Sequence, residues 1–191
     1  ADFPAAYLTV WGIVAETSYI ILAAFLTLSE YQRHCGKKHW KGSKAAGAVA
    51  RHLFGLCSSL APAISIAYWL LIYPNDGRCN FFCTTAHLYN TVLMLSDVCL
   101  CRIQLEDDQM PLVFAYPAVW FVFQVVWVMR GHPPVYAFLT LQDWTSGALA
   151  GLFALLLLFN FKVLQALLRC RENKLGGVRK GEEQTLLGGI A

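Results

Sequence analysis

Charge is what this chain of 191 residues has least of: Asp, Glu, Lys and Arg make up 14% of it, against 57% hydrophobic residues, where soluble domains average roughly 25% charged. The few charges lie between long apolar blocks rather than among them. A water-soluble core has no need of such blocks, so the pattern excludes a soluble enzyme and a disordered chain. The formal net charge of +3 is spread over the connections instead of along one basic face, which excludes a nucleic-acid binder. There is no internal repeat and no low-complexity segment. A disulfide framework is also missing, because the cysteines number 7 and most of them fall inside apolar blocks or beside basic connections. Only Cys79 and Cys83, in "CNFFC", share the other side, where they either bridge or stay free thiols. No nearby pair completes a zinc site, so no metal is expected, and no cofactor either.

The apolar blocks fit a membrane. A bilayer core is about 30 Å thick and takes roughly 20 mostly apolar residues in a helix to cross. Five stretches meet that test, over about 5–28, 53–73, 83–101, 111–129 and 145–161. A backbone in hydrocarbon must satisfy its own hydrogen bonds, which leaves helices or a closed barrel. Runs such as "ALAGLFALLLLFNF" show no in-out alternation, so the expected fold is all-α, a multi-pass transmembrane helical bundle over 1–168.

Lysine and arginine orient it. Arg33, Lys37, Lys38, Lys41, Lys44 and Arg51 follow the first span, Arg102 ends the third, and Lys162, Arg169, Arg171, Lys174, Arg179 and Lys180 follow the last. The opposite side has only Arg78 and Arg130. The positive-inside rule makes the basic side, and with it the carboxy-terminus, cytosolic in an endomembrane or plasma membrane. That leaves Ala1 outside or lumenal with no signal sequence ahead of it, so a leading segment, cleaved or upstream, is expected. The region 169–191 is polar and glycine-containing, and is expected to be a disordered cytosolic tail. Its "EEQTLL" sets Glu182 four residues before the pair Leu186 and Leu187, which looks like the signals that trafficking adaptors read.

Ionisable residues inside a bilayer cost several kcal/mol unless they face a partner or a wet cavity. In the first span Thr9 and Glu16 lie seven residues apart on one helix face. In the third, His87, Asn90, Thr91 and Asp97 also share a face. At about 1.5 Å per residue, Thr9 and His87 come to similar depths, so the first and third spans are expected to face each other or a shared cavity. Three uses of such a stripe remain open. It can fix packing through interhelical hydrogen bonds; it can be a lipid-facing site with Thr9 as nucleophile and a histidine as base; or it can carry ions or protons along Glu16 and Asp97.

The pieces "YLTVWGIVAETSYIILA", "YWLLIYP", "AHLYNTVLMLSDVCLCR", "YPAVW" and "VYAFLTLQDW", in that order, resemble the androgen-induced-gene and rolling-stone family of multi-pass membrane proteins. The resemblance runs from Tyr7 to about Arg169 and implies about six spans with both ends cytosolic, hence one more span before Ala1. In the androgen-induced branch it implies an intramembrane hydrolase of fatty acid esters of hydroxy fatty acids, with a threonine that falls on Thr9 and a histidine in "H-x-x-H-T". Here that motif reads "HLYNT": His87 matches the first histidine, and Asn90 stands at the catalytic one. Asparagine is no general base near neutral pH. The form "H-x-x-N" followed by Asp97 is closer to the rolling-stone branch, which includes proteins linked to cell fusion. The first expectation is therefore a non-catalytic membrane interaction or fusion-type role with the bilayer as partner. The alternative is a lipid-ester hydrolase in which His87 replaces the missing base.

Overall fold

The structure, a computed structural model, describes residues 7–34, 44–76, 81–101, 103–136, 139–141 and 143–188, without the side chains of 33–34, 75–76, 82–83 and 174–188. The described residues form helices and connections with no strand among them. Helix α1 covers Leu8–His34. Helix α2 covers Lys44–Ala67 and runs on through a π-helical turn, Tyr68–Ile72, into Tyr73–Asp76. Helix α3 is composite as well: Phe81–Thr84, a π-helical turn at Thr85–Tyr89, then Asn90–Leu100. Helix α4 covers Met110–Met129, and α5 covers Trp144–Gly188.

Among the described residues four helical segments are long and apolar enough to cross a membrane: Leu8–Gln32, Lys44–Ile72, Asp107–Met129 and Trp144–Asn173. The expected span at 83–101 is helical over most of its length but stands outside that set, because His87, Asn90, Thr91 and Asp97 lower its mean hydropathy. Helix α5 passes without a break into the region read as a tail, and its backbone stays helical to Gly188. The side chains of Glu182, Leu186 and Leu187 lie outside the described ones, as do Cys79 and the side chain of Cys83.

Helix α2 is the axis of the bundle. From Phe54 to Leu60 every residue is buried, as expected of a helix with neighbours all round, and α1, α3, α4 and α5 all pack on it. The outer helices instead turn large apolar side chains outward, among them Ile21, Phe25, Val119, Val122, Leu152, Leu155 and Phe159. In water such a surface would be an aggregation site; against lipid it needs no cover.

One end of the bundle is tied by charge. The connection from α3 to α4 carries Glu106, Asp107 and Asp108. Arg51 at the start of α2 reaches Glu106 at 2.7 Å and Asp108 at 2.5 Å, and Lys162 of α5 reaches Asp107 at 2.8 Å. Gln165 donates to the Leu105 carbonyl at 3.1 Å. Arg171 closes α3 by donating to the carbonyls of Val98, Cys99 and Cys101 at 2.7, 3.0 and 2.7 Å, where a helix leaves its last carbonyls unpaired. Three residues of the basic side thus have structural work at this end.

Candidate functional site

At the opposite end α1 begins, and its first turn has free backbone N–H groups like any helix start. The connection from α4 to α5 supplies their partner. The Tyr136 hydroxyl is hydrogen-bonded by the backbone of Leu8 and Thr9 and by the Thr9 side chain. Its ring is held edge-on to Tyr7, with centroids 5.9 Å apart, and against Trp120 at 5.9 Å. Burial pushes the Tyr136 phenol up to about 12, because a charged phenolate is disfavoured away from water. Thr9 is therefore a nearly buried threonine at a helix N-terminus with its hydroxyl held by a phenol.

Opposite Thr9 stand two π-helical turns. A π turn inserts a residue into a helix, widens it locally and leaves a carbonyl out of the usual ladder; such turns gather at functional sites. In α2 the Tyr73 N–H reaches back to the Tyr68 carbonyl. In α3 the turn carries His87, whose carbonyl accepts from the Ser65 hydroxyl. The Ser65 and Thr91 hydroxyls lie 2.6 Å apart, and Thr91 donates to the Ala61 carbonyl at 3.0 Å. The two widened turns bring Tyr68 and His87 face to face, their rings stacked 3.6 Å apart and 7° from parallel. That stack fixes the imidazole plane, and His87 Nδ1 is buried without a hydrogen-bond partner.

Thr9, Tyr68, His87 and Tyr136 all line one cavity of about 330 Å³. The rest of its wall is apolar: Ile64, Leu71 and Ile72 from α2, Phe114, Pro117, Trp120 and Phe121 from α4, Leu139 from the connection, and Leu149, Phe153 and Leu157 from α5. Its volume falls in the range of small-ligand pockets, roughly 300–1,000 Å³, and it has their usual make-up of an apolar wall with a few converging polar groups.

The other stripe residues are placed differently. Glu16 and Asn90 line a second, far smaller chamber with Thr9, and the Asn90 amide donates to the Ala86 carbonyl at 3.2 Å. Asp97 lines neither space; it accepts from the Tyr19 hydroxyl at 2.5 Å, which ties α3 to α1. Thr91 is taken up by its bonds to α2. The stripe thus divides into packing residues, Thr91 and Asp97, and cavity residues, Thr9, His87, Glu16 and Asn90. His132 stacks on Trp127 at 4.0 Å and stays at the surface.

Reasoning from sequence passed over Tyr136, Tyr68 and Ser65. Tyr68 opens "YWLLIYP", a stretch quoted only for its resemblance, and the π turns leave no mark in residue spacing. Tyr136 sits in "VYAFLTLQDW", a stretch singled out only for its resemblance. Compared with models of protein families, with curated proteins and with solved structures, the chain has no significant match.

Proposed function

We propose that this chain is an integral membrane protein, similar to the rolling-stone and androgen-induced family, that takes a lipid ester into the cavity beside Thr9 and cleaves it there. The observation that carries the reading is that Thr9 and His87, distant in sequence, open on one apolar cavity of about 330 Å³. The aromatic and aliphatic wall suits an acyl chain, and the polar end sets the ester group against the Thr9 hydroxyl. His87, one turn from the position where Asn90 replaces the family's base, meets the ester's polar atoms from the facing helix. In this reading α3 is the fifth crossing, its polar face turned to α1 and α2 and its apolar face to lipid, and the basic end of the bundle is cytosolic. Adaptor recognition through Glu182, Leu186 and Leu187 belongs to the same proposal.

The test is hydrolysis by the purified protein in lipid nanodiscs of an ester of palmitic acid with a hydroxystearic acid. Cleavage is expected, with Thr9→Ala lowering it at least about a thousandfold. Equal cleavage by the variant, or none by the wild type, overturns the reading.

A second reading has its own observation. The bonds from Tyr19 to Asp97 and from Thr91 to Ala61 use two of the six stripe residues to join helices, which suits a non-catalytic role in membrane interaction or fusion. The cavity is then a lipid seat. Binding of the ester without turnover, unchanged by Thr9→Ala, marks that case.

A further inference from the structure

Resemblance puts a catalytic histidine where this chain has Asn90, so Thr9 lacks the base its chemistry requires. The small chamber behind it offers one. This space of about 10 Å³ lies between Thr9, Gly12, Glu16 and Asn90 on one side and α2 on the other. It follows from the spacing T-x-x-G-x-x-x-E: residues at +3 and +7 share a helix face, and glycine in the middle leaves no side chain between the threonine and the carboxylate. A Cβ on Gly12 would come within 3.1 Å of Ile64 Cδ1, so α1 and α2 close the chamber from the side.

Glu16 is 5% exposed, and its buried Oε1 has no hydrogen-bond partner. Side chains on a helix lean toward its N-terminus, which directs this carboxylate toward Thr9. Thr9 and Glu16 are about 10 Å apart along the axis at about 1.5 Å per residue, and both border the chamber, Glu16 leaning into it from the far end. The chamber is about the size of one water, with the Thr9 hydroxyl, the Glu16 carboxylate and the Asn90 amide as polar neighbours.

We infer that Glu16 is the proton acceptor for Thr9, reached through a single water in this chamber, with the substrate and His87 on the opposite side of the threonine. The inference rests on the hydrolase reading. In acylation Thr9 Oγ bonds to the ester carbonyl carbon, and its proton turns from the Tyr136 phenol to the water as the water gives one to Glu16. As the ester C–O bond breaks, the leaving alkoxide takes a proton from a water in the large cavity, and Glu16 stays protonated. In the second half the hydroxide so formed attacks the acyl carbon. Glu16 then returns its proton through the chamber water to Thr9 Oγ as the acyl bond opens. Ester and water become acid and alcohol, and Glu16 ends as it began. His87 donates a hydrogen bond to the carbonyl oxygen and transfers no proton.

The full chain in nanodiscs, with the palmitoyl-hydroxystearate ester as probe, tests this. Glu16→Gln is expected to lower kcat about 10²- to 10⁴-fold, with KM and the thermal unfolding midpoint held and the acidic limb of the kcat/KM profile lost from the residual activity. His87→Gln, which keeps a donor and has no base, is expected to lower kcat less than Glu16→Gln does and to leave the acidic limb of the profile in place. If Glu16→Gln does not fold, Gly12→Ala, which narrows the chamber, is expected to lower kcat with KM held. Full activity in Glu16→Gln, or in Gly12→Ala where it stands in, overturns the inference while Thr9→Ala still abolishes turnover and the hydrolase reading stands. An unaffected Thr9→Ala overturns both.

Discussion

Tyr136 lies outside every membrane-length helix, yet its hydroxyl serves the helix start that carries Thr9. Replacing it with phenylalanine removes the partner of the Leu8 and Thr9 amides, a loss comparable to an N-cap deletion, about 1 kcal/mol. The phenol also gives stability a pH dependence of known sign. Its folded pKa, about 12, stands above the ordinary 10.0, so its contribution is complete below pH 10 and is lost as pH rises toward 12. The amount at stake is roughly 2–3 kcal/mol. Thermal melts of wild type and Tyr136→Phe between pH 9 and 12 are expected to converge and then cross as pH rises; parallel curves would remove the tyrosine from this role. Asn90 allows a sharper residue test. A histidine there stands in the chamber beside Thr9 and supplies a base directly, so Asn90→His is expected to restore at least about tenfold of the turnover that Glu16→Gln loses. If the two sites acted independently, the double variant would be as slow as Glu16→Gln alone.

Among the elements, the carbonyl ends of α3 are the place where one side chain does most. Arg171 donates to three carbonyls there, a use of the planar guanidinium that a lysine ammonium cannot copy. Arg171→Ala is expected to cost about 1–3 kcal/mol and to speed amide exchange at 98–101, with Arg171→Lys recovering only part; unchanged exchange would show that the connection to α4 holds α3 by itself. That role was not legible in the sequence, where Arg171 reads as one of many basic residues orienting the chain. The apolar runs of α1, α2, α4 and α5 were legible, because length and hydropathy decide a membrane-length helix without reference to its neighbours. Their ends were less so: α2 begins at Lys44 rather than near Leu53, since its first turns are held by the Arg51 ion pairs and not by lipid. The π turns in α2 and α3 were invisible, because they arise where two helices meet, at Ser65, Tyr68, His87 and Thr91, and a single strand of sequence does not hold that meeting.

Across the whole molecule the two ends differ in kind. One gathers Arg51, Glu106, Asp107, Asp108, Lys162 and Arg171 into charged ties; the other holds Thr9, Tyr136 and the polar mouth of an apolar cavity. The separation has a physical cause. Lysine and arginine gather at one end of a bundle of membrane-length helices, and an apolar cavity is built from helix faces that the charges leave free. The spacing of Thr9 and Glu16 showed in the sequence, as did the common depth of Thr9 and His87, but that Thr9 and His87 border one cavity depends on α4 and α5, which no motif linked to them. Orientation makes this arrangement testable. Cys170 is exposed at the charged end, and His132 is exposed near the other. In sealed vesicles with the cytosolic leaflet outward, a membrane-impermeant maleimide is expected to label Cys170 at once. In His132→Cys it reaches the new thiol only after permeabilisation. The reverse pattern would turn the bundle over and set the Thr9 cavity on the cytosolic side.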